Sequence, residues 1–72
     1  MSRNTDNVLR ILKAGGNISV DAKGRTTDNI LRIVKVAVEM EKVVTFRNLE
    51  GHNTDNILRI VKAGGDNVIL EI

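Results

Sequence analysis

The chain has 72 residues, of which eleven are Lys or Arg and nine are Asp or Glu, and its net charge is +2. It contains no Cys, Pro, Trp or Tyr, and Phe46 is its one aromatic residue. A chain of this length forms a single domain, residues 1–72, and without Cys it can form neither disulfides nor thiolate metal sites. No apolar run approaches the about 18 residues that a membrane span needs, and residues 1–4 lack the apolar stretch of a signal peptide. We therefore expect a soluble, cytoplasmic protein.

One nine-residue segment occurs three times, beginning at Thr5, Thr27 and Thr54. Seven of its nine positions are identical in all three copies, and the other two vary only among Val, Ile and Leu. Because the copies begin 22 and 27 residues apart, a longer unit is repeated along the chain. The repeat predicts three units, approximately residues 4–24, 25–50 and 51–72.

Each copy has the pattern of an amphipathic helix. Apolar residues recur at helical spacing on one wide face, and Arg and Lys lie on the other. The Asp at the second position places negative charge at the positive end of the helix dipole. A Gly-Gly pair predicts the end of the first helix at residues 15–16 and of the third at residues 64–65. The predicted N-caps are the first residues of the copies, Thr5, Thr27 and Thr54.

A segment that alternates between polar and apolar residues follows each helix, at residues 17–23, 43–47 and 67–72. This alternation predicts strands with one buried and one wet face. Strands joined by crossover helices are parallel, and one wet face leaves the other for all three helices. The predicted fold is a two-layer α/β protein with three helix–strand units and a mainly parallel three-stranded sheet. The predicted inward residues are Ile18, Val20, Ala22, Val44, Phe46, Val68, Leu70 and Ile72.

Residues 36–42 fit two predictions. As a helix, they continue a polar stripe that contains Lys35, Glu39 and Lys42, with apolar residues around it. As a strand, Val36, Val38 and Met40 would alternate with polar or small residues, but the turn before Val43 would lack hairpin chemistry. We favour one longer central helix.

No set of residues in the sequence assembles a catalytic, cofactor or metal site. His52 is the one His, and without Cys or a second His it cannot form a zinc site; we expect a solvated loop residue. Neither Ser2 nor Ser19 lies in a nucleophile-elbow pattern. The Gly-Gly pairs follow helices, and so they meet the negative end of the dipole, which does not bind phosphate. We therefore predict that the chain is no enzyme and binds no cofactor.

Basic residues recur at the same positions of the three copies: Arg10, Arg32 and Arg59. On neighbouring helices they would form a basic ridge that could contact nucleic-acid phosphates. The alternative is an ordinary solvated helix face with dispersed charge, because the net charge is only +2.

The sequence Lys23-Gly24-Arg25, between a predicted strand and a predicted helix, resembles the Alba family of small archaeal chromatin proteins. The resemblance covers about 15 residues, near Ile18 to Ile33, and implies that Lys23 and Arg25 contact nucleic acid. The chain departs from that family in repeating one helix three times and in lacking its extended basic hairpin. The repeat also resembles leucine-rich repeats in length and in its order of helix and strand, without their leucine signature.

The chain as a whole resembles artificial proteins. De novo α/β designs use few residue types, polar helix starts, Gly stops and strands rich in Val and Ile, and they reuse good segments. This resemblance implies a scaffold, made by recombinant expression, without a natural biochemical activity. The alternative is a small nucleic-acid-binding module that uses Lys23, Arg25 and the helix arginines.

We also predict self-association, most simply as a homodimer closed by a two-fold axis. A three-stranded parallel sheet has two open edges, and neither Pro nor a bulge signal protects them here. Ile69 and Val43 fall on the wet sheet face, where they would form an apolar patch. No other specific partner is expected, and no membrane.

Overall fold

A computed structural model of the chain describes residues 4–72. The elements alternate between helix and strand, as the repeat predicts. Ser2 lies outside the described residues. The helices are α1 (Thr5–Lys13), α2 (Thr27–Glu39) and α3 (Thr54–Gly64), and the strands are β1 (Ile18–Asp21), β2 (Val44–Arg47) and β3 (Val68–Leu70). A single 3-10 turn, Gly65–Asn67, joins α3 to β3.

The three strands form one open parallel sheet in the order β1-β2-β3. Ile18, Val44 and Val68 lie side by side across it. The central helix α2 packs against both α1 and α3. The predicted α/β fold with parallel strands is therefore confirmed, and each strand lies beside the next one in the chain.

The core lies between the helices and one face of the sheet. Val20, Ala22, Val44 and Phe46 are buried there, as the alternation predicts, and the other inward strand residues Ile18, Val68 and Leu70 are half-buried. The prediction is wrong for Ile72, which is 99% exposed. Just after β3 the amide of Glu71 donates to the carbonyl of Phe46 at 3.1 Å, and Ile72 lies beyond this hydrogen bond.

The prediction of the N-caps is wrong by one residue. The residue before each Thr has an extended backbone, and its side-chain oxygen accepts from the amide three residues on. Asn53, for example, accepts from the amide of Asn56 at 2.8 Å. Each copy therefore begins at the first helical position instead of at the cap, because the side-chain acceptor must stand three residues before the amide that it satisfies. The observed caps are Asn4, Thr26 and Asn53.

The favoured helix over residues 36–42 is confirmed as far as Glu39, where α2 ends. Glu41 then has a left-handed backbone, with φ of 56°. The amide of Lys42 donates to the carbonyl of Ala37 at 2.9 Å, and that of Glu41 to Val38 at 3.2 Å. This is the Schellman arrangement, which normally places Gly where Glu41 stands.

The two Ala-Gly-Gly exits end their helices differently. After α1, Gly15 takes the positive φ of 110° that only Gly adopts without cost, as predicted. In α3 the helix runs one residue further than predicted and includes Gly64, and the turn falls to Gly65. A Cβ on Gly64 would overlap the side chain of Val68, so this Gly permits β3 to approach the helix.

The central helix buries both sides of its apolar face, whereas each outer helix buries one. We number the positions of the repeated segment 1–9. Positions 7 and 8 of α2, Ile33 and Val34, are both fully buried. Of these two positions, α1 buries position 8, Leu12, and exposes position 7, whereas α3 buries position 7, Ile60, and exposes position 8. The two outer helices therefore present opposite sides of the same sequence to α2.

Candidate functional site

A cleft of about 600 Å³ opens at the carboxyl ends of β1 and β2. Ligands of open parallel sheets bind at this end of the strands. The cleft is formed by two loops, residues 22–26 between β1 and α2 and residues 48–53 between β2 and α3. Its lining consists of Lys23, Gly24, Arg25, Thr26, Asn48, Glu50, Gly51 and His52.

Arg25 ties the first loop to the strand and to the helix layer. Its Nε donates to the carbonyl of Asp21 at 3.1 Å, and its Nη1 donates to the hydroxyl of Thr5 in α1 at 3.2 Å. The guanidinium therefore holds the end of β1 to α1. It is half-buried, so a phosphate in the cleft would meet part of it at most.

Asp21 holds the two loops together. Its Oδ1 accepts from the side-chain amide of Asn48 at 3.0 Å and from the backbone amide of Lys23 at 2.9 Å. The Asn48 hydrogen bond is the main cause that lowers the pKa of Asp21 below its ordinary value, followed by the Lys23 amide and by the charges of Arg47 and Lys23. Asn48 has a left-handed backbone, with φ of 60°, which Asn tolerates better than most residues. The carboxylate of Asp21 is therefore ionised at neutral pH, and its hydrogen bonds link the first loop to the second.

His52 lies closer to the strand than a solvated loop residue would. It is half-buried, and its Nε2 lies 3.4 Å from the carbonyl oxygen of Ala22 in the first loop. The ring of His52 therefore forms a second contact between the two loops, besides that of Asn48 with Asp21. Sequence reasoning missed this role, although the carboxyl ends of adjacent parallel strands always meet at one edge of a sheet.

The predicted nucleic-acid residues divide into two groups. Lys23 and Arg25 lie together in the cleft. The helix arginines Arg10, Arg32 and Arg59 lie instead on the exposed surface of the helix layer. Arg32 pairs with Asp6 of α1 at 3.7 Å, and Arg59 donates to Asn56 at 3.4 Å. These contacts interleave the basic ridge with acidic and amide groups.

Charge in the cleft is nearly balanced. Lys23 and Arg25 are opposed by Glu50 on the facing loop and by Asp21 beneath it. Asp28 adds a negative charge in the first turn of α2, where a bound phosphate would otherwise be favoured. The cleft can accept a small polar or anionic group through Lys23 and His52, but its field does not select one sign of charge.

Within residues 4–72 no group of three or more His, Cys, Asp and Glu side chains is placed to hold a metal ion. No helix in the same range is both long and apolar enough to cross a membrane. Comparison of the chain with protein-family models, with curated proteins and with solved structures found no match. The function therefore has to be argued from the residues of this chain alone.

Proposed function

We propose that the chain is a folded scaffold of artificial origin, whose role is to fold and to associate with itself and not to catalyse a reaction. The observation that carries this proposal is the reuse of one segment. Three nearly identical copies each form a helix, and α2 packs with its position-8 side against α3 and with its other side against α1. Repeated use of one helix-forming segment is typical of designed α/β proteins.

Self-association, in the simplest case as a homodimer, is the second part of the proposal. The face of the sheet that the helices do not cover carries Ile69, which is 51% exposed. The outer edges of β1 and β3 have no neighbouring strand among the described residues. Edges and apolar surface of this kind favour pairing with another chain.

Sedimentation equilibrium should give a mass above 7.9 kDa, the mass of one chain, that rises with concentration. A constant 7.9 kDa into the high micromolar range would contradict self-association.

A nucleic-acid-binding module is the second candidate function. One observation favours it: Lys23 and Arg25, the residues of the Alba-like motif, line the same cleft. The interleaved charges of the helix layer and the balanced charge of the cleft argue against it, since phosphate binding depends on concentrated positive charge.

Fluorescence anisotropy with labelled duplex DNA and RNA separates the two candidates. The scaffold proposal predicts either no binding or weak binding at low salt that does not depend on Lys23 in particular. Binding that weakens steeply with salt and that Lys23→Ala reduces would instead support the nucleic-acid module. The matched control is Lys13→Ala, which removes the same charge in the last turn of α1, outside the cleft. Equal loss in both variants would point to unspecific attraction and would leave the scaffold proposal standing.

A further inference from the structure

Among residues 4–72, each outer helix has no neighbouring element on one side of its apolar face. On α1 the free side carries position 7, Ile11, which is 39% exposed. On α3 the free side carries positions 5 and 8, Leu58 at 48% and Val61 at 41% exposed. In α2 the residues at positions 7 and 8 are fully buried. Ile11 and Val61 are therefore exposed at positions that are buried in α2, the helix with a neighbour on each side.

The position-7 side, which is free on α1, and the position-8 side, which is free on α3, are the two sides that meet where helices pack together within this chain. Val34, at position 8 of α2, lies next to Gly64, the eleventh and last residue of α3. The position-8 side of α2 thus meets the position-7 side of α3, on which Ile60 is buried. The free side of α1 is a position-7 side, which carries Ile11, and the free side of α3 is a position-8 side, which carries Val61. The two free sides are therefore of the same kinds as those that meet between α2 and α3.

One ion pair joins neighbouring helices in the same order along the chain. Asp6, at position 2 of α1, pairs with Arg32, at position 6 of α2, across the surface of the helix layer. Between α2 and α3 the equivalent Arg59 instead donates to Asn56 of its own helix. A further helix that repeats the step from α1 to α2 beyond α3 would place its position 6 beside Asp55, at position 2 of α3. In this chain position 6 of α1 is Arg10, which is exposed. Docking of α1 beyond α3 therefore brings opposite charges together.

The sheet can extend in the same direction. Ile18 of β1 lies beside Val44, and Val44 beside Val68, in two parallel pairs of identical register. The free edge of β3 faces away from β2, and that of β1 faces the opposite way. A second copy that repeats the internal step would place its Ile18 beside Val68. Its backbone would then pair with an edge that is open in a single chain.

We infer that a second copy of this chain docks head to tail, with its α1 on the α3 of the first copy and its β1 beside β3. The inference rests on the proposed self-association. It replaces the two-fold axis between copies with the same displacement that relates neighbouring helix–strand units within one chain. An interface between two different surfaces leaves one of each free at the ends. Association therefore continues into longer assemblies, or closes into a ring, instead of stopping at a dimer.

Two variants, each blocking one half of the interface, test this geometry. Ile11→Glu places a charge on the free side of α1, and Val61→Glu places one on that of α3. Both positions are exposed in the single chain, so both variants should fold, which circular dichroism checks. In sedimentation equilibrium the wild type should exceed 7.9 kDa, and each variant alone should remain at 7.9 kDa. An equimolar mixture should form a heterodimer of twice that mass, because it contains one intact α3 side and one intact α1 side.

The control variant is Thr45→Glu, in the middle strand β2 on the uncovered face of the sheet, away from both free edges, and it should associate as the wild type does. If Thr45→Glu alone abolishes association, the interface is the sheet face, and the head-to-tail geometry is wrong while self-association stands. Wild-type association that survives both single variants, or a mixture that stays at 7.9 kDa, would also overturn the geometry. A wild type that is monomeric throughout would refute self-association itself. Should either Glu variant unfold, the milder pair Ile11→Ser and Val61→Ser gives the same four readings.

Discussion

Helices α1 and α3 carry nearly the same nine residues and bury opposite sides of them. Position 7 is exposed in α1 as Ile11 and fully buried in α3 as Ile60. Position 8 is buried in α1 as Leu12 and exposed in α3 as Val61. The two helices flank α2 from opposite sides, so each turns a different half of one wide apolar face inward. The place in the layer, and not the local sequence, decides which residues form the core.

This comparison separates two kinds of feature. Features set within one turn of helix, such as the N-caps, are the same in all three copies. Features that depend on a neighbour differ from copy to copy. Substitutions at equivalent positions should therefore have equal effects in the first class and unequal effects in the second.

The largest contrast is expected at position 7, which is Ile in every copy. Ile33→Ala and Ile60→Ala each remove a fully buried side chain and should lower the free energy of unfolding by about 2–5 kcal/mol. Ile11→Ala removes an exposed one and should cost about 1 kcal/mol or less. Urea denaturation at low protein concentration measures all three. Equal losses at Ile11 and Ile60 would mean that the two helices bury the same side.

The shared Ala-Gly-Gly exits should also respond unequally. Gly64→Ala adds a methyl group that overlaps Val68 and approaches Val34 at 3.0 Å, which should cost about 1–3 kcal/mol. The control is Gly16→Ala in the first exit. Its Cβ would meet Ile18 at an ordinary 3.5 Å, and the free energy of unfolding should hardly change. Thermal unfolding of both variants checks the difference, and a Gly64→Ala variant as stable as the wild type would place β3 further from α3.

The N-caps should be equivalent in the first and third copies. Asn4→Ala and Asn53→Ala each remove the acceptor for an amide in the first turn and should each cost about 1 kcal/mol. Thr54→Ala, one residue further on, is the control and should have little effect, because Thr54 is exposed and does not cap. Chemical denaturation of the three variants would locate the helix start. A larger loss for Thr54→Ala than for Asn53→Ala would contradict the observed caps.

The smallest expected effect is an increase in stability, at the C-terminal end of α2, which lacks a Gly. Glu41 holds a left-handed backbone at the end of α2, and Glu41→Gly should raise the free energy of unfolding by about 0.5–1 kcal/mol. Glu39→Gly, inside the last turn of the helix, is the matched control and should lower it by a similar amount. Denaturant melts of the pair report the sign directly. A loss with Glu41→Gly would show that the residue is not left-handed in solution.

The helices, the strands and the parallel direction of the strands follow from the sequence, because they depend on residue pattern and on the order of the elements. Helical spacing, strand alternation and the order of the repeat are sufficient for three helix–strand units and a parallel sheet. The helix starts are less determined, since Asn53, Thr54 and Asp55 can all cap a helix and stand in a row. Which half of each apolar face is buried is not determined at all, because the three copies are nearly identical.

The cleft could be predicted only in part. Lys23 and Arg25 attract notice through the motif that they form. His52 and Asn48 follow a different strand, and they approach the first loop only because β1 and β2 are parallel neighbours. Strand order was the missing information, and with it the loops after both strands could have been combined into one site.

The most direct test of the account measures the exposure of the Ile side chains at position 7 in solution. In a sample with labelled Ile methyl groups, a soluble paramagnetic agent should broaden the methyl signal of Ile11 and leave those of Ile33 and Ile60 sharp at low protein concentration. As the concentration rises, the signal of Ile11 should become protected as a second copy covers it. Equal broadening of Ile11 and Ile60 in the dilute sample would contradict the central claim that identical segments bury opposite sides.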